Sequence, residues 1–224
     1  MQWLVFLLVL LRAQYAPYWI PSGSMAPTLE TGDYMIASWV TPGSLSRGDV
    51  VVFSHPVTGV PFVKRLIGLP GDTVQMRDGQ VVLNGKALPQ EPDGVWVVPY
   101  GPQGPAGSIP RCANGPVGEG ADCKADRLRE RLPDGRSWQV LNIEDDGFAD
   151  NTDLFTVPPR YGFMLGDNRD NSQDSRFAQG GGGVGFVPLA NIFARPQVVL
   201  FSAAGSSLLA VWTWRAARLF KFVR

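Results

Sequence analysis

The chain has 224 residues, enough for one full domain with a buried core and a smaller appended one. Its 26 Gly and 19 Pro punctuate runs rich in Val, Ile, Phe and Trp, a composition of short strands and turns rather than long helices. Lys+Arg and Asp+Glu balance at 20 each, so no net field points to a nucleic acid partner.

Residues 3–11 (WLVFLLVLL) are continuously apolar before Arg12 interrupts. As a helix they rise only about 14 Å, against roughly 30 Å of hydrocarbon. A cleavable leader fits poorly, because no basic segment precedes the run and no small-x-small site follows it. Residues 1–18 therefore read as a membrane anchor that is short or incomplete as given, with lipid as its partner.

Short apolar runs follow at residues 34–40, 49–54 and 62–69, each closed by a turn signal: Pro42-Gly43, His55-Pro56 and Pro70-Gly71. "VQMRDGQVVLNGKAL" reads as two strands around Asp78-Gly79, with Asn84-Gly85 as a second turn. Residues 89–159 change character and read as an inserted subdomain. Its first part is too proline-rich for a central strand, "WQVLNIEDDG" offers one strand, and "ADRLRERL" is a solvated face or one to two charged helical turns. Cys112 and Cys123 lie close together there without the four-ligand set of a zinc site. A local disulfide is the simplest reading, two free thiols the alternative. Regular sequence resumes with "YGFML", a Gly180–Gly183 run and the strand "NIFARPQVVLFS". The last segment, "SLLAVWTWRAARLFKFVR", either packs on the domain or lies in a membrane interface. The fold class is thus mostly β. Residues 19–88 and 160–224 read as an antiparallel β core, and residues 89–159 as a smaller β subdomain.

Three stretches carry chemistry. "IPSGSMAPTL" holds Ser22 and Ser24 around a glycine, between Pro21 and Pro27. The single histidine, His55, sits in a turn and reads as a solvated surface residue, so a nucleophilic serine here needs another base. Lysine is the recognised alternative. In "PFVKRLIG" a period of two places Lys64 on one face with Phe62 and Leu66, and Arg65 on the other with Val63 and Ile67. Apolar neighbours disfavour an ammonium and lower its pKa. The bland alternative is a lysine that snorkels from an edge strand to water. "GDNRDNSQDSR" packs so many polar groups together that burial requires nearly all of them to be paired. Its spacing fails the EF-hand pattern, which needs Gly at the sixth position and Glu at the twelfth.

Taken in order, "IPSGSMAPTLETGD", "FVKRLIGLPGD" and "GDNRDNSQDSR" resemble the signature boxes of bacterial type I signal peptidases, membrane-anchored serine endopeptidases that remove signal peptides from exported preproteins. The resemblance implies Ser24 as nucleophile and Lys64 as general base. It implies Ser22 with the Ser24 N–H as the oxyanion hole, and Ser172 as the hydroxyl that orients the lysine amine. Asp167 with Arg65, and Asp174 with Arg176, would be supporting ion pairs. Tyr18, Ile20, Met25, Leu29 and Val63 would line shallow pockets for small residues before the cut. It also implies an antiparallel β core, signal peptides as substrates, and neither cofactor nor metal. The implied site of action is the periplasmic side of a Gram-negative inner membrane. A self-cleaving repressor using the same dyad would carry a DNA-binding helical domain instead of an anchor. A catalytically dead, membrane-tethered module that only binds signal peptides would lack activity.

Overall fold

A computed structural model describes residues 14–223. The strands, in chain order, are β1 (Tyr15–Trp19), β2 (Asp33–Trp39), β3 (Val50–Ser54), β4 (Pro61–Gly68), β5 (Thr73–Arg77), β6 (Gln80–Leu83), β7 (Lys86–Ala87), β8 (Gln90–Pro99), β9 (Asp122–Arg131), β10 (Ser137–Asn142), β11 (Phe155–Thr156), β12 (Tyr161–Leu165), β13 (Val187–Pro188), β14 (Ile192–Ser202) and β15 (Lys221–Phe222). The main sheet runs β1-β2-β14-β3-β4-β12-β13, with β15 on β14. A four-stranded sheet runs β11-β5-β6-β7 and a three-stranded one β10-β9-β8. The pairings registered between these strands are antiparallel.

Local sequence explains much of this. Asp78 and Gly79 take φ of 47° and 72°, the left-handed pair that a two-residue hairpin matched to strand twist requires. Asn84 and Gly85 repeat it at 52° and 76° between β6 and β7. β3 (VVVFS) is buried along nearly its whole length because it lies inside the main sheet, between β14 and β4. The core falls into clusters. Ile67, Val74, Met76, Val81, Trp138, Phe163 and Leu165 join the main sheet to the other two. Ile20, Met25, Leu29, Met35, Val52 and Val199 lie beneath the serine stretch.

Two expectations change. The anchor drawn over residues 1–18 lies outside the described residues up to position 13, and its last part is not anchor: Tyr15–Trp19 is an edge strand in register with β2. No helix among the described residues is long and apolar enough to cross a membrane. "ADRLRERL" is not helical, and it is a solvated face only in part: it belongs to β9, whose pairing to β8 and β10 overrides helix propensity. The proline-rich stretch stays out of a sheet interior, as expected, and forms β8. It is an edge strand, with a bulge between Pro92 and Val95, where a proline N–H would otherwise be missing from the ladder. The Gly180–Gly183 run closes a short 3₁₀ turn, Gln179–Gly181, that ends on Gly182 at φ 84°.

Cys112 and Cys123 are joined as a disulfide. The C-terminal segment packs on the domain: Arg218 pairs with Asp33 and donates to Thr28 O at 3.0 Å, bracing the far end of the serine stretch. Its apolar side chains Leu209, Trp212, Phe220 and Phe222 face solvent.

Candidate active site

The serine stretch between β1 and β2 is a series of tight turns, with Ala26 N–H donating to Gly23 O at 3.1 Å and Leu29 N–H to Met25 O at 2.9 Å. Met25, Ala26, Pro27 and Leu29 are buried and anchor it, leaving Ser22 exposed and Ser24 half-buried. β4 brings up Lys64, whose Nζ lies 2.6 Å from Ser24 Oγ. Ser22 Oγ is 3.4 Å from Ser24 Oγ.

Lys64 is only 3% exposed. Its Nζ sits 5.8 Å from the centroid of Phe62, the neighbour that period-two alternation places beside it. Burial pushes its pKa down to about 8, against the pull of Asp174 and Asp167, which favour the ammonium, and with the help of Arg176. An amine with that pKa has a neutral fraction at physiological pH far above that of an ordinary lysine, and in that form it can take a proton from a hydroxyl held against it.

Arg65 faces the opposite side. Its guanidinium forks onto Asp167, with Nε at 2.8 Å from Oδ1 and Nη2 at 2.6 Å from Oδ2, both side chains 1% exposed. It also stacks 4.6 Å over the Trp138 ring. Thr28 Oγ1 donates to Asp167 Oδ2, so the serine stretch, β4 and the loop after β12 meet at one carboxylate. Asp174 and Arg176 form a second fully buried fork, at 2.9 Å on each side. Burial alone would raise the Asp174 carboxyl, but Arg176 and the Gly166 N–H hold it below the usual range. "GDNRDNSQDSR" is thus a largely buried network whose acidic side chains at 167 and 174 are paired with arginines.

Gly166 explains a glycine at the start of that box. A Cβ there would lie 2.2 Å from Ser172 Oγ and 2.6 Å from Ser24 O, so the loop could not approach the serine turn with any side chain.

A cleft of about 270 Å³ opens beside Ser24, lined by Tyr18, Ile20, Met25 and Val63 together with Ser22 and Lys64. β1 and β4 both contribute to it although β2, β14 and β3 separate them in the sheet, so the sheet curls to bring them across from each other. Leu29 does not line the cleft. It is fully buried in the cluster below, because its turn points it inward. Ser172 also departs from expectation: its hydroxyl is buried without a hydrogen-bond partner, so no bond from it orients Lys64. His55 is a buried turn residue and not a solvated one, with Nδ1 accepting from Val57 and Thr58 N–H at 3.2 Å.

Sequence reasoning missed Glu130. It is fully buried on β9 and pairs with Arg169, whose Nη1 lies 3.0 Å from Oε2. Through this pair and the bond from Leu141 N–H to Asp167 O at 2.8 Å, β9 and β10 hold the third box in place. A lone glutamate among charged strand residues gives no signal of this in sequence. Among the described residues, no group of acidic, histidine or cysteine side chains could hold a metal.

The family model described as "Signal peptidase, peptidase S26" matches residues 1–201. The chain belongs to that family. It is therefore a serine endopeptidase, a peptide-bond hydrolase. Proteins named signal peptidase I from Rickettsia canadensis (strain McKiel) and Rickettsia massiliae (strain Mtu5) are 32% and 33% identical to it, each alignment covering 83% of this chain and 71% of the relative. A solved signal peptidase I from Enterococcus faecalis is 26% identical, over 66% of this chain and 93% of that one, with a TM-score of 0.34.

Proposed function

We propose that this peptidase removes N-terminal signal peptides from exported preproteins, cleaving after a small-x-small motif with Ser24 as nucleophile and Lys64 as general base. The observation that carries the reading is the 2.6 Å contact between Ser24 Oγ and a buried lysine amine, at the end of an apolar cleft. The preprotein lies between β1 and β4 as an extended strand, main-chain bonds giving affinity and alternate side chains specificity. Tyr18, Ile20, Met25 and Val63 line the cleft and would be the side chains that select small residues.

Neutral Lys64 takes the Ser24 Oγ–H proton as Oγ attacks the carbonyl carbon. The resulting oxyanion is met by the Ser22 hydroxyl and the Ser24 N–H. The C–N bond breaks as the Lys64 ammonium returns its proton to the leaving amine. A water, deprotonated by Lys64, then attacks the ester carbonyl. The tetrahedral adduct collapses with cleavage of the C–Oγ bond, the Lys64 ammonium returns its proton to Ser24 Oγ, and the signal peptide leaves with a new C-terminal carboxyl group. Asp167–Arg65 and Asp174–Arg176 act through structure, holding the third box against the serine turn.

Activity belongs at a membrane, with the catalytic domain on the periplasmic side of the inner membrane. The exposed Trp212, Phe220 and Phe222 beside Arg and Lys suit an interfacial contact with lipid. The decisive experiment incubates a preprotein bearing a small-x-small site with wild-type and Ser24→Ala protein and reads the product's N-terminus. Cleavage at the motif by wild type alone supports the proposal; equal cleavage by Ser24→Ala overturns it.

A further inference from the structure

The Ser24 N–H that would meet the oxyanion belongs to the peptide group joining Gly23 and Ser24. Among the described residues this N–H has no acceptor, as a donor kept for substrate requires. The carbonyl of the same group is held from behind. Asn168 Nδ2 donates to Gly23 O at 3.1 Å, alongside Ala26 N–H at the same distance. The next peptide is held too, with Asn168 N–H donating to Ser24 O at 3.1 Å. One residue thus fixes both peptide planes that flank the nucleophile.

Asn168 is itself rigidly placed. It is 2% exposed, and its chain neighbours are both clamped, Asp167 by Arg65 and Arg169 by Glu130. Its Oδ1 is buried without a hydrogen-bond partner. Leaving such a group unsatisfied is destabilising, a penalty that an apolar side chain of similar shape would avoid. Stability therefore does not account for an amide here, whereas the bond from Nδ2 does. In a planar trans peptide the C=O and N–H point in opposite directions. A donor on the carbonyl therefore sets the direction of the N–H and, through hydrogen-bond cooperativity, polarises it.

We propose that Asn168 is a positioning residue for the oxyanion hole, its carboxamide holding the Gly23–Ser24 peptide so that the Ser24 N–H faces the oxygen of the reacting carbonyl. This rests on the roles assigned above to Ser24 and Ser22. It touches no reacting atom and acts only through that peptide.

The test compares wild type, Asn168→Leu and Asn168→Ala on a quenched peptide carrying a small-x-small site. Removing an oxyanion donor outright lowers kcat by roughly 10²–10³. Losing its alignment is expected to lower kcat by about tenfold or more within that ceiling. KM should stay within about twofold, because ground-state contacts are untouched. A peptide aldehyde, which forms a tetrahedral adduct with Ser24 Oγ, should lose affinity by the same factor as kcat, while the cleaved product peptide binds as before. The midpoint of the pH profile should not move, since Asn168 carries no charge. A purely structural role would instead shift KM, the pH midpoint and thermal stability together. The inference is overturned if both variants keep kcat within twofold of wild type, if KM changes more than kcat, or if aldehyde affinity is unchanged. An inactive Ser24→Ala beside a fully active Asn168→Leu overturns this inference alone; an active Ser24→Ala overturns the underlying mechanism as well.

Discussion

As the proposed general base Lys64 must be neutral to act, and its burial makes the pH dependence of cleavage a direct test of that proposal. With the pKa at about 8, about 9% of the enzyme carries the free amine at pH 7 and about 90% at pH 9, so kcat/KM should rise roughly tenfold between them. The same shift has a stability counterpart. An unfolded lysine holds its proton up to about 10.5, whereas the folded one releases it near 8. Between those values the unfolded state binds more protons, so stability rises with pH. At 1.36 kcal/mol per pH unit, keeping Lys64 protonated in the fold costs about 3 kcal/mol below pH 8. That cost disappears as pH passes 10.5. Initial rates on a quenched small-x-small peptide from pH 6 to 10 give the first quantity. Urea melts of wild type and Lys64→Met give the second. Lys64→Met should be inactive but no less stable than wild type at pH 7, and should lose this part of the pH dependence. A flat rate profile, or a midpoint at the ordinary lysine value, refutes the argument that burial prepares the base.

Ser24→Ala should lower the cleavage rate on the order of 10⁴-fold or more, and Ser22→Ala roughly 10²–10³-fold in kcat with little change in KM, both read with the same peptide. Asp167→Asn leaves Arg65 buried with its carboxylate fork lost and should destabilise the fold by about 3–5 kcal/mol, seen as a fall in the urea midpoint. Gly166→Ala drives a methyl into Ser172 Oγ and Ser24 O. It should therefore reduce activity more than Ala substitution at the exposed Gly180 or Gly181, where nothing lies within 4 Å of the added carbon. Reducing the Cys112–Cys123 bond opens a loop spanning a sequence separation of 11. By chain entropy this should lower stability by about 3 kcal/mol, measured by thermal melts with and without reductant.

The chain alone determined the features that depend on nearest neighbours. Strand runs and their turn signals gave β2, β3, β4 and β14 within a residue or so, and Asp78-Gly79 and Asn84-Gly85 fixed two turns, because backbone sterics at positive φ act locally. Period-two alternation sorted Lys64 from Arg65 onto opposite faces of β4. The family boxes named Ser22, Ser24 and Lys64 before any geometry was available. What only the tertiary structure decided involves partners far apart in sequence. "ADRLRERL" has helix-compatible residues, yet it forms a strand because β8 and β10 supply a ladder on both sides. Leu29 sits inside the core and not in the cleft, because the turn after Pro27 rotates it inward. Nothing in the order of residues announces that Glu130 holds Arg169, or that Asn168 reaches back to Gly23 O across 145 positions. The depressed lysine is of the same kind: alternation puts apolar neighbours on its face, but only the closed fold excludes the water that would otherwise keep it charged.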